Sequence, residues 1–171
     1  GTMGALTRAS NELKAVEKNI QPDIDKQVQE DLTGMWGDVN TADIGQIVNF
    51  MSIIHVAAGA ENYVLHDTMV DGITYKEVNY IEHVVPGTGT HVVPNTKYTV
   101  KTGADVTDGC DFEVFFTKEF CDSLETNDKV IIINVCLGTC KNGISHICTY
   151  SYNGCAHVIH NTKVSEIVGC V

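Results

Sequence analysis

The chain has 171 residues, 43% of them hydrophobic, and a formal net charge of −11 from 22 acidic and 11 basic side chains. This size and hydrophobic content support a packed core and exclude an intrinsically disordered protein. Binding to nucleic acid or to an anionic membrane surface needs clustered Lys and Arg, so the acidic balance disfavours both. No apolar run reaches the roughly 20 residues of a membrane-spanning helix, and we expect no membrane insertion.

The N-terminal part of the chain shows a helical hydrophobic period. Apolar side chains recur in steps of three, four and seven over residues 6–32, which predicts an amphipathic helix with a coiled-coil-like seam. Pro22 interrupts this stripe, because proline is costly inside a helix but tolerated in its first turn. The pattern therefore predicts either a kink at Gln21 or two helices, over residues 9–20 and 22–32.

A further helix is predicted from Thr41 to Ala58, with Gly59 in the position of a left-handed C-cap. Its apolar stripe consists of Ile44, Ile47, Val48, Met51, Ile54 and Ala58. A helix with a single apolar stripe needs a partner to bury it. Residues 5–60 are therefore predicted to form a helical oligomerisation region.

From residue 61 onward the hydrophobic period changes to two, and β-branched and aromatic residues become more frequent. Asp71-Gly72 predicts a hairpin between strands over residues 63–70 and 73–85. Further strands are predicted at residues 91–93, 97–101, 111–117, 130–137, 146–152, 156–160 and 163–168. Short strands separated by turns predict an antiparallel β-sandwich or jelly-roll-like domain over residues 61–171. The predicted fold class is α+β, with N-terminal helices followed by this β domain.

Two Asn-Gly pairs near the C-terminus, at residues 142–143 and 153–154, are typical of two-residue hairpin turns and set a register. In that register Val135 lies opposite Tyr150, and Tyr150 lies opposite His157. The turns therefore predict a three-stranded meander.

All seven cysteines lie in the C-terminal part of the chain, from Cys110 onward. The meander places four of them too far apart or on opposite faces for disulfides with one another; these are Cys136, Cys140, Cys148 and Cys155. Any disulfide must then use Cys110, Cys121 or Cys170. Because free cysteine packs as a small apolar residue, the sequence favours reduced thiols in the core, with those disulfides as the alternative.

Metal binding and cysteine catalysis are the two chemical alternatives for this stretch. Its potential zinc ligands are Cys136, Cys140, His146, Cys148, Cys155, His157 and His160. Their spacing matches no zinc finger, so neither a metal nor another cofactor is predicted. Cys148 and His157 are a possible catalytic dyad, but a thiol on an apolar strand face has a raised pKa. A cysteine-dependent hydrolase that uses this dyad is the second functional hypothesis, ranked second because of the raised thiol pKa.

The first hypothesis is a non-enzymatic recognition or attachment module, because no stretch carries a catalytic motif. A self-complementary helix followed by a chemically quiet β domain is the architecture of oligomeric fibre and adhesin heads, an analogy of architecture alone. We expect a homo-oligomer, such as a trimer, that binds a protein or glycan receptor at an extracellular or virion surface. The predicted receptor-binding loops surround Gly87, Thr88, Gly89, Thr90, Asp105 and Asp108. A regulatory partner-binding domain of a larger protein is the third hypothesis.

Overall fold

The structure is a computed structural model that describes residues 22–42, 45–69, 73–107, 109–138, 148–151, 156–158 and 161–162. Its strands are β1 (Asp23–Gln29), β2 (Trp36–Gly37), β3 (Val39–Ala42), β4 (Ile47–His55), β5 (Val64–Asp67), β6 (Ile73–Val85), β7 (Gly89–Val92), β8 (Tyr98–Thr102), β9 (Phe112–Phe116), β10 (Lys129–Gly138), β11 (Cys148–Ser151), β12 (Ala156–Val158) and β13 (Asn161–Thr162). One short helix, α1 (Lys118–Asp122), precedes β10, and 3₁₀ turns at Asn95–Lys97 and Gly103–Asp105 flank β8. Among the described residues, no helix has the length and apolar character needed to cross a membrane.

The strands form two large antiparallel sheets and one small one. The first sheet has six strands in the order β2-β1-β4-β10-β6-β7, and the second has five in the order β13-β12-β5-β9-β8. Strands β3 and β11 form a separate antiparallel pair. Residues 23–55 and 129–138 thus belong to one sheet, because β4 lies between β1 and β10.

The two large sheets pack face to face as a β-sandwich, which confirms the sandwich predicted for the strand-rich part of the chain. Ile54 and Ile132 from the six-stranded sheet share one buried core with Leu65 and Phe112 from the five-stranded sheet. Tyr75 of β6 stacks on Phe112 of β9, with 4.4 Å between the ring centroids. Burial of these large side chains supplies the main driving force for joining the sheets.

The predicted N-terminal helices are wrong wherever the structure describes the chain. Residues 22–32 contain strand β1, and residues 41–58 contain the end of β3 and all of β4. Along β4 the side chains of Val48, Phe50 and Ile54 are buried and alternate with more exposed neighbours. Apolar residues four apart satisfy a period of two as well as a helical period, and the many β-branched residues favour the strand. The described residues therefore contain no coiled-coil seam, and the predicted helix over residues 9–20 lies outside them.

The predicted meander is also wrong. Both edges of β10 are occupied, by β4 on one side and β6 on the other, so Val135 lies opposite Asn49 and Glu77. Strand β11 pairs with β3 instead, and β12 lies between β5 and β13. The two Asn-Gly turns themselves lie outside the described residues. A strand pairs with whichever neighbours give the most stable sheet, and a turn motif between two strands does not show whether other strands pair more favourably.

The hairpin predicted at Asp71-Gly72 is not formed, because the strands on either side of it belong to different sheets. Strand β5 pairs with β9 and β12, whereas β6 pairs with β10 and β7. The chain therefore crosses from one layer of the sandwich to the other between residues 67 and 73.

Candidate functional site

A lysine and an aspartate meet in the interior between the two large sheets. Lys26 lies in the middle of β1, at a position where the strand alternation turns its side chain towards the core. Asp67 is the last residue of β5 in the opposite sheet. The Lys26 Nζ atom donates a hydrogen bond to Asp67 Oδ2, and the two side chains are 1% and 0% exposed. This pair is a buried polar contact that joins the two layers.

The lysine ammonium has a second contact, with an aromatic ring. Lys26 Nζ lies 5.0 Å from the centroid of the Phe50 ring on the neighbouring strand β4. A desolvated cation gains stabilisation from the face of an aromatic ring. Asp67 and Phe50 together therefore compensate part of the free energy lost when the ammonium leaves water.

Two polar side chains of β10 lie beside this pair. Asn134 and Cys136 are both fully buried, and the Asn134 side-chain amide donates to Cys136 Sγ at 3.4 Å. Within the described part of the chain, Asn134 Oδ1 has no hydrogen-bond partner. We call Lys26, Asp67, Asn134 and Cys136 the inter-sheet polar cluster.

Irregularities in the strand pairing accompany the cluster. The register between β10 and β6 shifts at Ile133/Asn134 and again at Val135/Cys136, next to both cluster members on β10. β-Bulges re-aim side chains and are frequent beside functional sites. Buried polar residues at the bulges set this part of the sheet apart from the regular β1–β4 ladder.

Burial dominates the electrostatics of the cluster. Burial raises the pKa of Asp67, an effect that the Lys26 ammonium opposes and nearby Asp111 reinforces. Burial likewise raises the pKa of the Cys136 thiol to about 12, again opposed by Lys26. The thiol is therefore protonated at neutral pH and a poor nucleophile. The cluster can therefore hold an amine and a carboxyl group in contact while both are buried.

A second group of reactive side chains lies on β5 and β9. One side-chain atom each from His66, Cys110 and Glu113 lies within 4.8 Å of the other two, an arrangement that could hold a metal ion. His66 Nδ1 lies 2.7 Å from Glu113 Oε2. The sequence analysis predicts no metal site, and the potential zinc ligands that it considers do not include any of these three.

The predicted receptor-binding loops lie on the surface where the structure describes them. Residues 87–90 are all exposed: Gly87 and Thr88 belong to the turn between β6 and β7, and Gly89 and Thr90 begin β7. A 3.0 Å hydrogen bond from Thr88 N to Val85 O closes the turn. Gly87 has a φ of 78°, which glycine adopts without strain. Asp105 ends the exposed 3₁₀ turn after β8, and Asp108 lies outside the described residues.

The structure does not bring the strands of the possible catalytic dyad together as predicted. Cys148 lies in β11, which pairs only with β3 among the described strands, and His157 lies in β12 of the five-stranded sheet. The diagonal hairpin position predicted for them is absent from the described strand pairing. The side chains of both residues lie outside what the structure describes.

The described cysteine side chains fit the reduced-core prediction. Cys121 and Cys136 are free and buried, and Cys110 is buried as well. Burial also raises the pKa of the Cys121 thiol. The side chains of the other four cysteines lie outside the described residues, and so do any disulfides between them.

Sequence reasoning missed the Lys26–Asp67 pair, although one signal was present. Lys26 stands between Ile24 and Val28, at the same face of a period-two pattern, so a strand places it in the core. Asp67 follows Leu65 at the same spacing. A charged residue can stand at an apolar position of a strand pattern. When a residue of opposite charge stands at such a position on another strand, the two indicate a buried ion pair.

No protein-family model and no curated protein sequence matches the chain. Among solved structures, the chain is similar to the full-length major pilin SpaD from Corynebacterium diphtheriae, with a TM-score of 0.53 and 14% identity, over 85% of this chain and 34% of that chain. It also aligns with the N-terminal domain of the Streptococcus gordonii adhesin Sgo0707, with a TM-score of 0.49 and 17% identity, over 86% of this chain and 32% of that chain. A family 3a carbohydrate-binding module from the cipA scaffolding of Clostridium thermocellum aligns with a TM-score of 0.39 and 12% identity, over 84% of this chain and 99% of that module.

These similarities concern the fold. At 14% identity, the alignment with the pilin shows a shared β-sandwich architecture, and the alignments with TM-scores under 0.5 add nothing to it. The chain spans about a third of the length of the pilin and adhesin chains that it matches.

Proposed function

We propose that this chain is a β-sandwich module of a surface attachment protein, which binds a protein or glycan receptor through its loops. The observation that carries the proposal is the fold similarity to a major pilin over 85% of the chain. The inter-sheet polar cluster supports it, because an attachment module transmits force and the two sheets are the layers that force would separate. The location that follows is an extracellular or virion surface.

The receptor-binding surface that we assign consists of residues 87–90, at the turn and the start of β7, and the loop around Asp105 and Asp108. Thr88 and Thr90 are exposed residues that carry hydroxyl groups, and Asp105 is an exposed residue that carries a carboxylate. Hydroxyls and carboxylates on rigidly supported loops are suitable hydrogen-bonding partners for a polar receptor. The hydrogen bond that closes the turn reduces the entropy lost on binding.

Self-association is part of the proposal, through the edge strand β7. This strand is exposed along its whole length, and its last residue, Val92, is 69% exposed. Tyr80 on the neighbouring strand β6 is 39% exposed. An exposed edge strand offers unpaired backbone groups to a second copy of the chain. Sedimentation velocity should show an oligomer that Val92→Lys dissociates, and a monomeric wild-type chain at micromolar concentration would contradict this part of the proposal.

The Lys26–Asp67 contact also allows a covalent tie between the sheets. Attack of the unprotonated Nζ on the protonated Asp67 carboxyl forms one amide bond and releases one water molecule. Burial, which raises the Asp67 pKa, favours the protonated carboxyl that this condensation needs. The intact mass of the reduced, denatured chain measures the outcome: the sequence mass indicates an ion pair, and a mass lower by one water indicates the amide. A mass lower by one ammonia assigns the bond to the neighbouring Asn134 carboxamide instead.

Receptor binding is tested with the whole chain on a glycan array and on immobilised collagen, fibronectin and fibrinogen. We expect saturable binding to at least one of these, weakened at least about 10-fold by Thr88→Lys or Asp105→Lys, which corresponds to about 1.4 kcal/mol. Thr99→Lys is the matched control, since Thr99 is exposed on β8 outside the assigned loops. Binding to none of the probes, or equal weakening by Thr99→Lys, would contradict the proposal.

A further inference from the structure

We propose that His66, Cys110 and Glu113 form a Zn²⁺ site on the outer face of the five-stranded sheet. The site is separate from the inter-sheet polar cluster and does not depend on the proposed attachment function. Phe112 and Val114 belong to the core between the sheets, so Glu113 between them lies on the opposite face of β9. On that outer face the carboxylate is nevertheless 0% exposed.

Strand pairing brings the three ligands together. His66 of β5 lies directly opposite Glu113 of β9 in the antiparallel register. Cys110 lies three residues before Glu113, at the entry to β9. The register also sets His157 of β12 opposite His66, which places a second histidine in the same row of the sheet. Ligands on neighbouring strands of a sheet are held at fixed separations.

The distances suit a tetrahedral metal. With bonds of about 2.0 Å to nitrogen and oxygen and about 2.3 Å to sulfur, ligand atoms around zinc lie roughly 3.3–3.6 Å apart. The three ligand atoms already lie within 4.8 Å of one another, and His66 Nδ1 is 2.7 Å from Glu113 Oε2. Shifts of about 1 Å in side-chain position, without strand movement, therefore bring all three to bonding distance.

The charge around Glu113 favours a bound cation. A buried carboxylate needs compensation, and among the described ion pairs Glu113 has His66 as its partner rather than a lysine or arginine. Lys101 is its register neighbour on β8, but the Lys101 Nζ atom lies over the Phe115 ring, 4.4 Å from the centroid. Zn²⁺ would supply the positive charge directly.

A supporting hydrogen-bond shell is already in place. The Thr107 backbone N donates to Glu113 Oε1 at 2.9 Å, and the Thr107 hydroxyl donates to Glu113 Oε2. Metal-binding carboxylates and imidazoles are commonly oriented by such outer-shell partners. Thr107 belongs to the loop after β8, so metal binding would link this loop to β5 and β9.

The ligand set defines the chemistry. Imidazole nitrogen, thiolate sulfur and carboxylate oxygen are all ligands of Zn²⁺, and three protein ligands leave a fourth position for water or another side chain. On binding, Cys110 loses its thiol proton to solvent, and the hydrogen bond from Cys110 Sγ to Phe112 O at 3.3 Å is given up. No electron transfer is involved.

The test is a titration of the chelator-stripped whole chain with Zn²⁺ by calorimetry and with Co²⁺ by absorption spectroscopy. We expect one metal ion per chain and a thiolate-to-cobalt charge-transfer band. Cys110→Ser should weaken Zn²⁺ binding by more than about 100-fold, beyond the 10- to 100-fold typical of outer-shell changes, and should remove the band. Thr107→Val, which removes only the hydroxyl donor, should weaken binding about 10-fold.

Cys121→Ser is the matched control, because Cys121 is another buried cysteine and lies outside the three-residue cluster. It should keep both the affinity and the charge-transfer band. Circular dichroism checks that each variant folds. Absence of micromolar binding, or binding that Cys110→Ser and His66→Gln leave unchanged, would overturn the proposal.

Discussion

Replacing Lys26 with methionine is expected to destabilise the fold by about 3–4 kcal/mol at pH 7, because it leaves Asp67 buried without its cation. Removing one member of a buried ion pair typically costs about 3–5 kcal/mol. An upper limit follows from proton uptake: bringing a carboxyl with an ordinary pKa of 3.8 to its neutral form at pH 7 costs about 4 kcal/mol, at about 1.36 kcal/mol per pH unit. Methionine keeps most of the lysine volume, so little is lost by cavity formation.

This deficit should shrink on acidification. Burial raises the pKa of Asp67 and Lys26 lowers it, so loss of Lys26 raises that pKa further. A carboxyl with a raised folded-state pKa destabilises the fold as the pH rises from its unfolded-state pKa to its folded-state pKa. The upper limit set by proton uptake therefore falls to about 1.6 kcal/mol at pH 5.

The assay is urea unfolding followed by far-UV circular dichroism at pH 7 and pH 5, for Lys26→Met, Asp67→Leu and the double variant. Because an apolar pair of similar volume replaces a buried ion pair with little loss, the double variant should be more stable than Lys26→Met alone. Lys118→Ala is the control, since Lys118 and Asp122 form an exposed pair on α1 and should contribute nothing measurable. A loss below about 1 kcal/mol at pH 7, or a deficit that does not shrink at pH 5, would refute the reasoning. A loss well above the upper limit would indicate the covalent tie.

Three further predictions concern the described core and turns. Because Cys121 and Cys136 are buried and free, Ellman's reagent should leave both unmodified in the native chain and react with them after unfolding; rapid reaction in the folded state would contradict their burial. Asn127 has a φ of 79°, so Asn127→Val should cost about 1–2 kcal/mol in urea unfolding while Asn127→Gly costs little; equal costs would contradict the left-handed conformation. Phe112→Ala should cost about 3–5 kcal/mol, because Phe112 is fully buried between the sheets, and a loss below about 1 kcal/mol would place it outside the core.

The strand-rich half of the sandwich could be predicted because its signal is local. Side chains along β9 and β10 belong to strands rich in β-branched and aromatic residues, and turns interrupt them at short intervals. The same signal was present in β1, where Ile24, Lys26 and Val28 alternate with polar residues. This alternation does not decide the prediction, because Pro22 followed by Asp23 and Asp25 also fits the start of a helix.

The pairing of strands could not be predicted, because partners are chosen over long sequence separations. Strand β10 pairs with β4 and β6. All three are longer than β11 and β12, the C-terminal strands that the Asn-Gly turns suggested as partners. Pairing with longer neighbours buries more apolar surface and closes more backbone hydrogen bonds. Turn chemistry sets register only between strands that do become neighbours.

Both candidate sites depend on this long-range pairing. Lys26 and Asp67 are 41 residues apart and come from different sheets, so their contact exists only after the sandwich has closed. His66 and Glu113 meet through the β5–β9 register. Neither residue belongs to a recognisable metal-binding motif in the sequence. The exposed loops, in contrast, could be predicted from Gly87 and Pro86 alone, because glycine and proline mark turns locally.

Native-state acetylation of lysine amines, read by peptide mass spectrometry, tests the inter-sheet tie most directly. Lys26 Nζ is buried against Asp67 in either form of the tie, whereas the Lys118 side chain is 85% exposed. The expected result is that Lys118 is acetylated in the folded chain while Lys26 stays unmodified. Acetylation of Lys26 at the rate of Lys118 would contradict a tie between the two sheets.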